Sequence, residues 1–198
     1  MNIVFDLGGV VFTWEPEKLI KSVFEDNEAQ ENVKSKIFAH PDWVQLDRGT
    51  LSRDEAVERG AMRTGLPISK IGELMLKIPG SLLPIKETIS LIHSVKRSGN
   101  KVFVLSNMHS AVIKHIEKEY SFWDIFDGII ISCRIHLVKP EAAIYQYLMN
   151  EYGLTANETI FIDDTDINLD AASKLGISTI KFQNAKQCED ELIKFGCI

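Results

Sequence analysis

Cysteine is scarce in this chain: three residues in 198, Cys133, Cys188 and Cys197. The number is odd and no CxxC pair occurs, so neither a disulfide framework nor a cysteine metal site is expected, and reduced thiols in a cytoplasmic setting fit best. Long hydrophobic runs are also missing. No segment is long enough to span a bilayer, and the apolar N-terminus lacks a basic flank and carries Asp6 midway, unlike a secretory signal. There is no block of Lys or Arg either; 22 basic residues face 28 acidic ones, for a net charge of -6. That excludes a surface built for nucleic acid or an anionic membrane and leaves a small molecule as the expected partner, to a monomer or weak homodimer. No internal repeat or low-complexity tract is visible.

What is present suits a globular enzyme. With 45% apolar and 25% charged residues, the chain can build one core, or one core and a small appended module. Short runs of branched and aromatic residues at Asn2 to Asp6, Lys101 to Leu105, Gly128 to Ser132, Thr159 to Asp163 and Ser178 to Phe182 read as strands buried on both faces. Helical patterns separate them: Pro84 to Ser98, stopped by Gly99, then Met108 to Tyr120, Pro140 to Tyr152 and Asn168 to Leu175. This alternation predicts an α/β fold, a Rossmann-like parallel sheet with helices on both faces. Residues 16–79 contain no convincing strand but several amphipathic patterns and a capping box at Ser52 and Glu55. They read as a small all-helical cap inserted after the first strand, with residues 1–15 and 80–198 forming the core.

Parallel sheets gather their functional groups at the carboxyl ends of the strands, and here those ends are polar. The first ends in Asp6, the second in Ser106 and Asn107; Lys139 follows the third, and Asp163 and Asp164 end the fourth, with Asn168 beyond. Carboxylates crowded at one rim repel one another. A divalent cation with hard oxygen ligands relieves the repulsion, and Mg²⁺ commonly shares such a site with a phosphate.

These residues resemble the four motifs of the haloacid dehalogenase (HAD) superfamily, in order: FDLGGVV around Asp6, VLSN around Ser106, VKPEAAIY around Lys139 and IDDTDINLDAASKLGI around Asp163. The wording is most similar to the bacterial α-D-glucose-1-phosphate phosphatase branch and to the phosphatase half of soluble epoxide hydrolases. The resemblance implies a Mg²⁺-dependent phosphatase in which Asp6 is the nucleophile and forms an aspartyl phosphate. Ser106 and Asn107 would bind the phosphoryl oxygens and Lys139 would offset charge. Asp6, Asp164 and the Gly8 carbonyl would hold the metal, with Asp163 orienting that shell or sharing the cation through water. Each group also has a plainer reading: Asp6 as a strand end, Ser106 and Asn107 as a turn, Lys139 as a solvated helix start, Asp163 and Asp164 as helix caps.

Gly8 departs from the superfamily pattern. Most of its phosphatases carry a second Asp there, which protonates the leaving group and then activates water; the glucose-1-phosphate branch also has Gly. Leaving groups that need little protonation, such as an anomeric sugar hydroxyl, are the expected consequence. In the insert, Trp43 reads as a sugar platform or, more simply, cap core, and Asp47 and Arg48 as hydroxyl partners or a turn before Gly49. Phe12 and Trp14 line an entrance or pack under the cap, and His109, close behind Asn107, reaches substrate or, more simply, sits exposed at an early helix position. Three functions compete: a phosphatase of small phosphorylated metabolites, sugar phosphates above all; a metal-independent haloacid dehalogenase, against which Asp163 and Asp164 argue; and a phosphate-binding protein that lost turnover through Gly8. A phosphomutase is disfavoured because it leans on the missing acid.

Overall fold

The computed structural model describes residues 1–198. Five parallel strands, β1 (Asn2–Phe5), β2 (Lys101–Ser106), β3 (Gly128–Ile131), β4 (Thr159–Asp163) and β5 (Ser178–Lys181), lie in the order β3-β2-β1-β4-β5. The strands alternate with helices as the sequence pattern requires: α6 (Lys86–Arg97), α7 (Ser110–Glu119), the short α8 (Ser132–Ile135), α9 (Ala142–Tyr152), α10 (Asp166–Ser173) and α11 (Ala185–Lys194). Pro84 and Pro140 stand outside α6 and α9, whose caps are Ile85 and Glu141, so these two helices start two residues later than expected.

Register explains how distant motifs meet. Asn2 pairs with Lys101 on one side of β1 and with Thr159 on the other, so Phe5 lies opposite Val104 and Ile162. Asp6, Ser106 and Asp163 therefore leave the sheet at about the same height. Strand order also reverses beside β1, since β2 and β3 build out one way and β4 and β5 the other. Such a switch point opens a crevice beyond the strand ends.

Between β1 and α6 every regular element is a helix. The chain forms α1 (Pro16–Lys21), α2 (Asn27–Val33), one π-helical turn (Lys34–Phe38), α3 (Pro41–Arg48), α4 (Arg53–Thr64) and α5 (Ile68–Ser81). Asp26 caps α2, and the expected capping box of Ser52 and Glu55 starts α4. Helix α5 runs through Pro79 without ending there. No helix in the chain is long and apolar enough to cross a membrane.

Alternate residues of β1 bury on opposite faces. Val4 joins Phe161, Ile144, Tyr145 and Leu148 in the layer beneath α9 and α10, whereas Ile3 and Phe5 belong to a larger cluster. That cluster continues without a break into the insert through Leu19, Val33, Leu46, Ile71, Leu74 and Ile78. Because insert and sheet bury apolar surface in one body, they should unfold together. Leu74→Ala is expected to cost about 2–5 kcal/mol and to lower one calorimetric transition; a separate, early-melting transition for residues 16–81 would refute the coupling.

Candidate active site

Lys139 is the centre of the site. Its Nζ lies 3.0 Å from Asp6 Oδ1 and 2.6 Å from Asp163 Oδ2, and its side chain is 1% exposed. A buried ammonium is tolerated only when paired; burial works against its charge, but the two carboxylates outweigh that and raise its pKa. Both sides of the backbone hold it. Asn107 Oδ1 accepts the Lys139 N–H at 2.8 Å and Asn107 Nδ2 donates to the Lys139 carbonyl at 2.9 Å. The Asn107 carboxamide, expected on the phosphate, is thus engaged in positioning the lysine.

Asp163 is equally committed. Its oxygens accept the Thr165 N–H at 2.8 Å and both contacts of Asn168 Nδ2 at 3.1 Å, besides Lys139. Tyr145 in turn donates to the Asn168 carbonyl at 2.8 Å. Asp6 accepts Lys139 and the Leu7 N–H on Oδ1. Burial, opposed by Lys139 and reinforced by Asp163, pushes its carboxyl up to about 7. Ser106 Oγ is buried next to Asp6 without a hydrogen-bond partner, an orphan donor that an added oxygen ligand would satisfy.

One carboxylate oxygen from each of Asp6, Asp163 and Asp164 fits within 4.8 Å of the others. This all-oxygen donor set, with three carboxylates against one lysine, fits a hard divalent cation. Since Asp163 is already surrounded by four contacts, Asp6 and the exposed Asp164 have oxygens to spare. The two glycines after Asp6 divide the work. Gly8 lines the cavity and a Cβ there would meet nothing within 4 Å, whereas Gly9 has φ +76° and its Cβ would fall 2.3 Å from Asp164 Oδ2. Gly9, which drew no attention in the sequence, is required for that close approach.

Above the strand ends lies a cavity of about 250 Å³. Asp6, Gly8, Lys139 and Asp164 form its floor, and Trp14, Trp43, Ile78, Leu82 and Val112 part of its wall. Trp43 packs on Phe38 (centroids 4.5 Å) and Trp14 (6.1 Å), so it is both insert core and cavity lining. Phe12 is fully buried against Tyr120, Phe122 and Trp123, away from the cavity.

Two expectations are corrected here. His109 is 4% exposed, edge-on to Trp43, and burial lowers its pKa to about 4, because the start of α7 lies beneath the insert. Asp47 and Arg48 form the last turn of α3, not a turn of their own, and Gly49 caps that helix in the left-handed conformation. Asp47 lines the cavity and is half-buried there; burial and the nearby Asp6 push its carboxyl up to about 7.

The sequence model of the haloacid dehalogenase-like hydrolases matches residues 64–182. The chain belongs to this family. Among curated relatives, a sesquiterpene phosphatase (astK) of Aspergillus oryzae is 29% identical over 88% of this chain and 85% of its own length. The D-ribitol-5-phosphate phosphatase of Bacteroides thetaiotaomicron is 23% identical over 96% of each chain. A HAD family enzyme of the same bacterium, solved in complex with magnesium and inorganic phosphate, superposes with a TM-score of 0.67 at 25% identity, covering 92% of this chain and 93% of that one. The chain is a HAD-type phosphatase.

Two carboxyls held near 7, against about 3.9 in an unfolded chain, make the folded state the better proton binder between about pH 4 and 7. Stability conferred by these groups therefore falls as pH rises through that window. The unfolding temperature of metal-free protein should decline from about pH 5 to pH 8, and Asp6→Asn should flatten the decline. Gly9→Ala should lower it at every pH by forcing Asp164 away.

Proposed function

We propose that this HAD-type phosphatase hydrolyses small phosphorylated metabolites with Mg²⁺, through an aspartyl phosphate on Asp6. The observation that carries the reading is the Lys139 ammonium seated between Asp6 and Asp163, with Asp164 close by at the same sheet rim. Residues expected to hold the metal are Asp6, Asp164 and the Gly8 carbonyl, with Asp163 behind them. When bound, Mg²⁺ supplies charge neutralisation to a phosphoryl group.

The protein's own groups do the rest. Lys139 keeps Asp6 fixed and favours its ionised form, which attacks phosphorus, while the Lys139 charge offsets the negative charge gathering on the phosphoryl oxygens. Ser106 Oγ donates to one of those oxygens. Asn107, Asn168 and Tyr145 act through Lys139 and Asp163 by holding them in place, so little reorganisation accompanies the reaction. The helical insert, as a cap, encloses the substrate's alcohol portion and limits water.

Sugar phosphates remain the first substrate reading: Trp43 offers an aromatic face, and Asp47 and His109 offer polar atoms above the phosphate end. The cavity wall favours a second one. Trp14, Ile78, Leu82 and Val112 present apolar surface that would leave sugar hydroxyls without partners, and an isoprenoid or other apolar alcohol fits it better. A relative named as a sesquiterpene phosphatase supports that alternative.

Phosphate release from sugar, short-chain alkyl and isoprenyl monophosphates, with Mg²⁺ or EDTA, tests the reading. Activity should require Mg²⁺ and fall roughly 10³-fold or more in Asp6→Asn. Chloride release from 2-haloacids in EDTA would instead favour a dehalogenase, and phosphate binding without turnover a binding protein. Lys139→Ala, which leaves Asp163 buried without its cation, should lose about 3–5 kcal/mol of stability in denaturant titrations as well as activity.

A further inference from the structure

We propose that Asp47, on the helical insert, is the general acid and base that Gly8 does not supply. The inference rests on the phosphatase reading above and adds a catalytic residue to it.

The argument starts from the empty position. A side chain at Gly8 would meet no atom within 4 Å of its Cβ, so the space beside the nucleophile is open to cavity and substrate. The carboxyls lining that cavity are Asp6, Asp164 and Asp47. Asp6 is paired with Lys139, and Asp164 lies against Gly9 and accepts the Thr165 hydroxyl at 3.2 Å. Asp47 forms no ion pair with any basic side chain.

Placement of Asp47 is built by the core. Its carbonyl accepts Ser132 Oγ at 2.5 Å, and the same hydroxyl accepts the Met108 N–H at 2.9 Å, tying α3 to the ends of β3 and β2. Next to it, Arg48 pairs with Glu141 and donates to the His136 carbonyl at 3.2 Å, while His136 Nδ1 contacts the Arg48 carbonyl at 2.9 Å. Gly49, at φ +77°, brings this corner so close to α8 that a Cβ would lie 2.7 Å from the Cys133 carbonyl oxygen. Four polar contacts and this close approach fix the backbone at residues 47–49, which sets Asp47 in the cavity lining together with Asp6 and Lys139. The charged and titratable groups that face it are Asp6, Lys139, Cys133 and the start of α7 at His109. Enclosure favours its protonated form, as a proton donor requires.

The steps balance. Asp6 Oδ bonds to phosphorus as the bond from phosphorus to the alcohol oxygen breaks, and that oxygen takes the proton of the Asp47 carboxyl. The Asp47 carboxylate then removes a proton from water as the water oxygen bonds to phosphorus; the bond to Asp6 breaks, phosphate leaves, and both side chains return to their starting forms.

The test compares leaving groups in the full-length enzyme with Mg²⁺. Asp47→Asn should slow an alkyl phosphate by about 10²–10⁴-fold. With p-nitrophenyl phosphate, whose leaving group needs no proton, the same variant should release a stoichiometric burst of nitrophenolate before a slow steady state, because only the hydrolytic step still lacks its base. Adding Gly8→Asp to that variant should return alkyl phosphate turnover at least tenfold, and a wild-type circular dichroism spectrum with a single cooperative unfolding transition above the assay temperature rules out loss of fold. Equal loss on both substrates without a burst, a change confined to KM, no loss at all, or no recovery with Gly8→Asp would overturn the assignment. A wild-type enzyme that releases phosphate from no substrate would instead remove the phosphatase reading beneath it.

Discussion

One buried cation organises this molecule. Lys139 has no solvent to share its charge with, so two carboxylates from two different strands must come to it, and each of those must be held in turn. The hydrogen bonds of Asn107 to its backbone, of Asn168 and Thr165 to Asp163, and of Tyr145 to Asn168 all follow from that requirement. A partly satisfied polar cluster at this depth would be worse than an apolar one. The network is nearly complete within the protein, and its unsatisfied members, the Ser106 hydroxyl and the free oxygens of Asp6 and Asp164, are the ones that face a reaction.

The same constraint explains why the floor of the site belongs to the sheet and the walls to the insert. Strands in register fix Asp6, Ser106 and Asp163 relative to one another within the precision that chemistry needs. Substrate selection needs shape instead, and a helical layer packed through a shared hydrophobic cluster supplies it with Trp14, Trp43, Ile78 and Asp47.

The floor was legible in the sequence because it depends on local rules. Apolar runs of four or five residues mark parallel strands, and polar residues at their ends fall at one rim, so Asp6, Ser106, Asp163 and Asp164 could be placed together from spacing, with Lys139 in the stretch after the third strand. The walls were not legible. Helix α3 has no register with the sheet, so nothing in its periodicity shows that Asp47 faces Asp6 or that Arg48 reaches Glu141. His109 follows a strand-end motif and looks exposed until the insert covers it. The glycine pair shows the same divide: a missing side chain at Gly8 stands out against a motif, whereas the need for glycine at Gly9 comes from a carboxylate more than 150 residues away.

Burial gives Lys139 a chemical privacy that its surface counterparts lack. Acylating and other amine-directed reagents need both access and a neutral nitrogen, and this ammonium offers neither, being enclosed and held protonated by its two neighbours. Lysines such as Lys18 and Lys186 stand in solvent and would react first. Indiscriminate modification of the protein's amines would therefore recolour its outer surface while leaving the charge at its centre untouched.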